Sequence, residues 1–282
     1  CAVLISLQTP QFPMPTASFP KRVICLTEET TETLYALGAD DLIVGISGFT
    51  VRPKIARKTK PKISTYLDAN IQQILDLKPD VVFAWSDLQA PICAELIRAG
   101  VEVVCFNHRS IDGILSMILR LGAMVGKTRE AENYIRQLQQ TLTTISKRAG
   151  KLTRRPRVYF EEWYDPIITG ICWVSEIIEL CGGEDIYAEN RAFPDAKRRI
   201  IADHTEIIRR SPDIMLASWC GKMFKPEKVL ARPGWTTIPA IHHKQMHEIH
   251  SSIILQPGPA ALTDGASAVM GIFEAWDREI AC

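Results

Sequence analysis

Apolar residues in this chain fall into short continuous runs separated by amphipathic stretches. Residues 22–27 (RVICLT) form a β-branched run that predicts a strand. Residues 27–38 (TEETTETLYALG) carry Thr and Glu in a first turn and close on Gly38, the signature of a helix and its stop. A short apolar segment follows at 41–47 (DLIVGIS), then a polar, basic stretch to Pro61 and a short amphipathic helix over 70–77. Residues 79–85 (PDVVFAW) predict a buried strand, 91–100 (PICAELIRAG) a helix and 101–108 (VEVVCFNH) another strand. Strands alternating with helices imply an α/β fold with a parallel sheet.

The period then changes. Ala131, Ile135, Leu138, Leu142, Ile145 and Ala149 step by three or four, with no Gly or Pro between 128 and 149. One amphipathic helix of about 22 residues is expected there, roughly 33 Å long. Beyond it the α/β pattern restarts with a strand at 157–163 (RVYFEEW), a segment at 173–187 (WVSEIIELCGGEDIY) that is a helix ending at its glycines, then an Asp and an apolar residue, and a helix and strand over 205–219. Residues 35–45 (YALGADDLIVG) are echoed by 179–189 (ELCGGEDIYAE), and 74–85 (ILDLKPDVVFAW) by 207–219 (IIRRSPDIMLASW). Pro-Asp before a strand is common, so the duplication rests on two matched motifs in the same order. The chain therefore divides into an extended lead-in (1–20), a first lobe (21–126), a bridging helix (127–152) and a second lobe (153–282).

Composition narrows the function classes. The chain of 282 residues is 46% apolar and 23% charged, ordinary for a globular protein. No apolar run reaches the roughly 18 residues of a spanning helix. A net charge of +1 gives no global attraction to nucleic acid or to an anionic membrane. Eight cysteines include no CxxC pair, and Cys25, Cys105 and Cys181 lie in apolar runs as small core residues. The opening CAVLISL is too short for a signal-peptide core. A thiol at Cys1 is where a cleaved lipoprotein would carry its lipid, but Ala-Val-Leu-Ile follows it where a polar tether is usual.

Ligands of open parallel sheets bind outside the carboxyl ends of the strands. Those ends here carry Thr27-Glu28-Glu29, Trp85, Asn107-His108, Glu161-Glu162-Trp163, Trp219 and His250, with Phe49, Tyr66, Phe193 and Trp235 nearby. Aromatic walls on two facing lobes suit a large, flat, partly apolar ligand. Catalytic signals are weak. Glu161 and Glu162 are neighbours on a strand and point to opposite faces. Cys220 has no base placed by the sequence. His242, His243, His247 and His250 could grip zinc through 243 and 247 only on a helix, whereas the duplication expects a strand there. His108 or His250 is instead placed to act as an axial ligand to a bound metallo-macrocycle. GxGxxG and GxxxxGK are absent, and the basic runs at 57–60, 151–157 and 197–199 read as solvated.

Residues 22–47 resemble the opening of the periplasmic substrate-binding proteins for iron-siderophores, haem and cobalamin, and 63–85 (ISTYLDANIQQILDLKPDVVFAW) is similar to a diagnostic segment of that superfamily. RVYFEEWYDPIITG, ELCGGEDIYAE and RRSPDIMLASW match its second lobe in order, closest to the cobalamin-binding branch. The resemblance implies two Rossmann-like lobes on one rigid helix. It implies a monomeric, non-catalytic protein with no cofactor of its own that captures a cobalamin-like corrinoid for ABC-type uptake. It implies the periplasm or cell envelope, with the cytoplasm as the alternative because no leader is visible. Tyr66, Trp163 and the Phe193-Pro194 loop would carry over as aromatic walls. Gln72 and Thr205, with Glu206 beside it, stand where the family docks a permease through glutamates, and 257–261 lacks the family's ligand-contacting Arg. The alternatives are a ferric siderophore or haem, for which Arg52, Arg109 and Arg198 would be cleft cations. A cytosolic corrinoid carrier or sensor, or an enzyme acting on a related metabolite, is the further alternative.

Overall fold

The computed structural model describes residues 18–65 and 67–281, so the lead-in before 18, Cys1 and Tyr66 lie outside the described residues. Strands β1 (Val23–Cys25), β2 (Ile43–Ser47), β3 (Lys62–Ser64), β4 (Val81–Trp85) and β5 (Val103–Phe106) form a sheet of order β3-β2-β1-β4-β5. Every pairing in it is parallel. Central strands such as β1 and β4 are buried along their whole length, because helices cover both faces. That is why their sequences read as unbroken apolar runs.

The second sheet contains β6 (Arg157–Tyr164), β7 (Ile167–Thr169), β8 (Glu184–Asp185), β9 (Ile214–Ala217) and β10 (Met246–Glu248), in the order β10-β9-β6-β7 with β8 on β6. It is parallel except for β6 and β7, which pair antiparallel. Only two residues, Asp165 and Pro166, join those strands, and so short a link permits a hairpin alone. The helix read at the start of 173–187 runs from Cys172 to Leu180 and stops before its glycines. Gly182 (φ +88°) turns the chain there into β8.

The long helix Thr128–Ala149 lies between the sheets in sequence and buries Ala131, Leu138, Leu142 and Ile145 along one stripe. A further helix, Ile111–Met124, packs on it, and the sequence pattern assigned no element there. Its buried residues Ile114, Met117, Ile118, Leu121 and Gly122 fall at the i, i+3, i+4, i+7, i+8 spacing of one helix face. The two helices approach closely at Gly122, where an added Cβ would lie 2.5 Å from that of Ala131. The C-terminal helix Ala266–Ala281 also packs on the long helix, and Glu274 holds Arg148 through two hydrogen bonds of 2.8 and 2.9 Å. One continuous core joins Val23 and Phe83 of the first sheet to Val158 and Leu216 of the second through these helices.

Three sequence readings change. Cys105 is exposed, because β5 is an edge strand paired on one side only. Arg199, in a run read as solvated, is 1% exposed and pairs with Glu162 at 2.7 Å. His247 lies on β10, its Nε2 2.9 Å from Gln245 Oε1, so 243 and 247 do not share a helix face. Among the described residues no helix is long and apolar enough to cross a membrane.

Candidate ligand cleft

The carboxyl ends of both sheets meet along a seam. Trp85, ending β4, packs edge-on against Trp173 of the second lobe at 6.0 Å. The ring of His108 lies with Nε2 2.7 Å from the carbonyl of Pro257. Arg109 reaches the Pro194 carbonyl at 3.4 Å while its guanidinium stacks 4.3 Å above the Trp85 ring. Glu32 accepts from the backbone N–H of Ala260, and Arg52 bridges Glu32 at 3.0 Å and Asp264 at 2.8 Å.

Around this seam the loops leaving the strands hold bare apolar side chains. Phe49 after β2, Leu67 after β3 and Leu88 after β4 are more than half exposed, and Met223 after β9 is 75% exposed. Strand ends are where ligands of open α/β sheets bind, so apolar groups bared there offer contact to one. On the second lobe a concavity of about 380 Å³ is lined by Glu162, Trp163, Pro166, Ile168 and Cys220. Trp163 is half-buried there, with the Lys222 ammonium 4.8 Å from its ring centroid.

The sequence candidates divide accordingly. Phe49 and Trp163 stand at the cleft, and Phe193 is half-buried beside Arg198, whose guanidinium is 5.2 Å from its ring. Trp219 does not form a wall: it is 2% exposed and packs between Tyr164 and Phe224, its indole N–H donating to Glu161 at 3.0 Å. Trp235 is likewise core. Trp85 is 7% exposed and belongs to the seam. Glu161 is fully buried and held by Arg232 at 2.6 Å, so it organises the lobe.

His108 is not available as an axial ligand. Its Nε2 faces the Pro257 carbonyl and its Nδ1 is buried without a partner. Burial and the nearby Arg109 and Arg120 hold it neutral, pushed down to about 4. His250 is exposed, and its Nδ1 accepts from the Ser252 N–H at 3.2 Å. The three candidate arginines are all engaged. Arg52 is paired as above, Arg109 stacks on Trp85, and Arg198 binds Asp195 at 2.5 Å. Of the docking positions, Gln72 donates to Asp76, Thr205 is tied to Asp203, and Glu206 pairs with Arg210.

The groups that sequence reading left unranked are acids. Glu28 and Glu29 begin the helix Glu28–Ala36 directly after β1, and Glu32 follows one turn on. Burial pushes the Glu28 carboxyl up to about 8, helped by Glu29 and Glu32 and opposed by Arg52 and Arg57. Burial pushes Glu29 up to about 7 against a hydrogen bond from Thr27. A helix N-terminus favours carboxylate charge, but desolvation outweighs it here. The Cys220 thiol is held above its usual range by desolvation, then by Glu162 and by Glu28 across the seam. A protonated thiol beside carboxylates is a poor nucleophile. The signal for these acids was visible in the sequence, two glutamates at the end of a buried strand, but nothing there showed that they are buried.

Two α/β lobes with facing strand ends on one long helix are the frame of this chain. The chain belongs to the periplasmic binding protein family, whose pattern matches residues 23–253. It is 29% identical over 221 residues to the vitamin B12-binding protein of Yersinia pestis (strain Pestoides F), covering 77% of this chain and 74% of that one. Among solved structures it superposes on the periplasmic haem-binding protein RhuT of Roseiflexus sp. RS-1 with a TM-score of 0.76 at 22% identity, covering 90% and 99% of the two chains. It superposes on the periplasmic vitamin B12-binding protein BtuF of Vibrio cholerae with a TM-score of 0.72 at 22% identity, covering 91% and 98%. The α/β, helix-bridged fold expected from the sequence is thus the fold of this family.

Proposed function

We propose that this protein captures a cobalamin-like corrinoid between its lobes, without chemical change, and presents it for ABC-type uptake at the cell envelope. The observation that carries this reading is apolar surface at the strand ends of both lobes: Phe49, Leu67, Leu88 and Met223 are bare there, and Trp163 lines the concavity of the second lobe. Such a surface suits the broad face of a macrocycle. The name carried by its 29%-identical relatives supports the same ligand. Anionic siderophores or haem propionates call for several cleft cations; Arg52, Arg109 and Arg198 are occupied by protein groups, which leaves Lys222 beside Trp163. Delivery to a permease would use Gln72 on one lobe and Thr205 with Glu206 on the other. An uncharged Gln and an already paired Glu imply weak docking.

The test is titration with cyanocobalamin, haemin and a ferric siderophore, followed by tryptophan emission. Cyanocobalamin should give saturable quenching with a micromolar or tighter constant, about −8 kcal/mol. Trp163→Ala should weaken it by about 1–3 kcal/mol, the scale of a lost aromatic contact. Saturation by haemin or siderophore with none by cyanocobalamin would sink the corrinoid reading.

A further inference from the structure

The apolar mouth accounts for the flat faces of a ligand but leaves two polar groups unexplained. Oε2 of Glu28 and Oε2 of Glu29 are both buried without a hydrogen-bond partner. Glu28 is 7% exposed and Glu29 1%. Buried carboxyl oxygens are normally satisfied, and an orphan costs the solvation it has lost. The protein offers them no cation. Arg52 is committed to Glu32 and Asp264, and Arg57 donates to the carbonyls of Gly48 and Thr50. The other oxygen of Glu29 is taken by the Thr27 hydroxyl.

Their place in the fold points to a ligand. In the order β3-β2-β1-β4-β5 the chain runs outward from β1 through β2 to β3 and then crosses back to β4, so the switch point lies between β1 and β4. Ligands of open α/β sheets enter the crevice at such a point. Glu28 and Glu29 open the helix that leaves β1 there. On the second lobe Cys220 lines the concavity with Glu162 and Trp163, and its thiol is raised in part by the charge of Glu28. Among the described residues no three His, Cys, Asp or Glu side chains are grouped to hold a metal ion, so the pair is not explained as a metal site.

We infer that the orphan oxygens of Glu28 and Glu29 are the polar anchor of the cleft, accepting N–H donors of the ligand. The inference rests on the cleft being the binding site and sharpens the corrinoid reading, because the rim of cobalamin carries primary amides. An ammonium group is the other source of the same chemistry. Both oxygens are shielded from water, so a donor reaches them only as the lobes part along this seam, and a hydrogen bond made there is strong.

The experiment measures binding of cyanocobalamin (amide donors), ferrioxamine B (an ammonium) and haemin (carboxylates) by calorimetry. The proteins are the wild type, Glu28→Met, Glu29→Met and the isosteric Glu28→Gln, each checked for folding by thermal unfolding. The tightest probe should carry N–H donors and should bind at least tenfold more weakly to Glu28→Met, with Glu28→Gln between. If a Met variant does not fold, a loss in Glu28→Gln carries the result. Ferrioxamine B binding that depends on Glu28, without cyanocobalamin binding, upholds the anchor and removes the corrinoid reading. Cyanocobalamin binding equally to wild type and all variants overturns the anchor and leaves the corrinoid reading standing. Haemin as the tightest probe, or no binding by any of the three, overturns both.

Discussion

Glu28 and Glu29 hold their protons more tightly in the folded protein than in the unfolded chain, because burial penalises their charged forms. Below the ordinary value of 4.5 both states are protonated and the acids cost nothing. As pH rises the unfolded chain ionises first, and stability falls until pH passes about 8, where Glu28 also ionises when folded. His108 acts in the opposite sense: the stability of its neutral form is full above 6.5 and is lost as pH falls toward about 4. Stability should therefore peak at mildly acidic pH and decline by a few kcal/mol toward pH 9. Denaturant melts from pH 5 to 9 would show this, and Glu28→Gln with Glu29→Gln should flatten the alkaline limb. An equally steep decline in the double variant would remove these acids as its cause. At this scale the sequence was only partly legible. It placed Trp85, Trp163 and Trp219 at strand ends, yet which way a strand-end ring turns depends on partners distant in the chain. Trp219 turns inward because Glu161, fixed by Arg232, accepts its indole N–H.

Among the elements, local pattern sufficed mostly where one face is buried and the other wet. The long helix Thr128–Ala149 follows from its stripe of apolar residues, and β1, β4, β6 and β9 from their β-branched or aromatic runs. Ile111–Met124 has the same helical step, at Ile114, Met117, Ile118 and Leu121, but was not assigned. The return of the C-terminal segment to the first lobe escaped because it is a contact between residues over 200 positions apart, Glu32 and Ala260. That contact depends on Gly258, where a Cβ would stand 2.5 Å from Glu29 Cβ and 3.1 Å from its Cα. Backbone on both sides leaves little room to yield. Gly258→Ala should cost about 1–3 kcal/mol by overpacking. Gly271, inside the C-terminal helix with nothing within 4 Å of its missing Cβ, is the control. There Gly→Ala should stabilise by about 0.5–1 kcal/mol through helix propensity. Denaturant melts giving the same sign for both substitutions would show that the close approach at Gly258 is not maintained in solution.

For the whole molecule the decisive feature is that, beside an apolar cluster confined to each lobe, a third and larger one is shared between them. Side chains from both sheets join one apolar cluster through the helices Ile111–Met124, Thr128–Ala149 and Ala266–Ala281. A hinge through this region would break the hydrogen-bond ladder of a 22-residue helix and expose close-packed surface, so a wide swing is opposed by both. The seam is weaker, a set of polar contacts at His108–Pro257, Arg109–Pro194 and Arg52–Asp264. Of these three, Arg52–Asp264 is a partly exposed ion pair screened by salt, and the others are single hydrogen bonds to carbonyls, each contributing about 0.5–1.5 kcal/mol. Opening should therefore be confined to the cleft mouth, a small rigid-body rocking. X-ray scattering profiles with and without saturating ligand should nearly superpose, with a change in radius of gyration within error. Hydrogen exchange should slow at the seam on ligand binding while the Thr128–Ala149 amides stay equally protected. Arg52→Ala, which removes one strap, should speed exchange at the seam without altering the scattering profile. A large compaction on ligand binding would mean that the long helix bends or breaks, and the shared core could not then be the element that fixes the lobes.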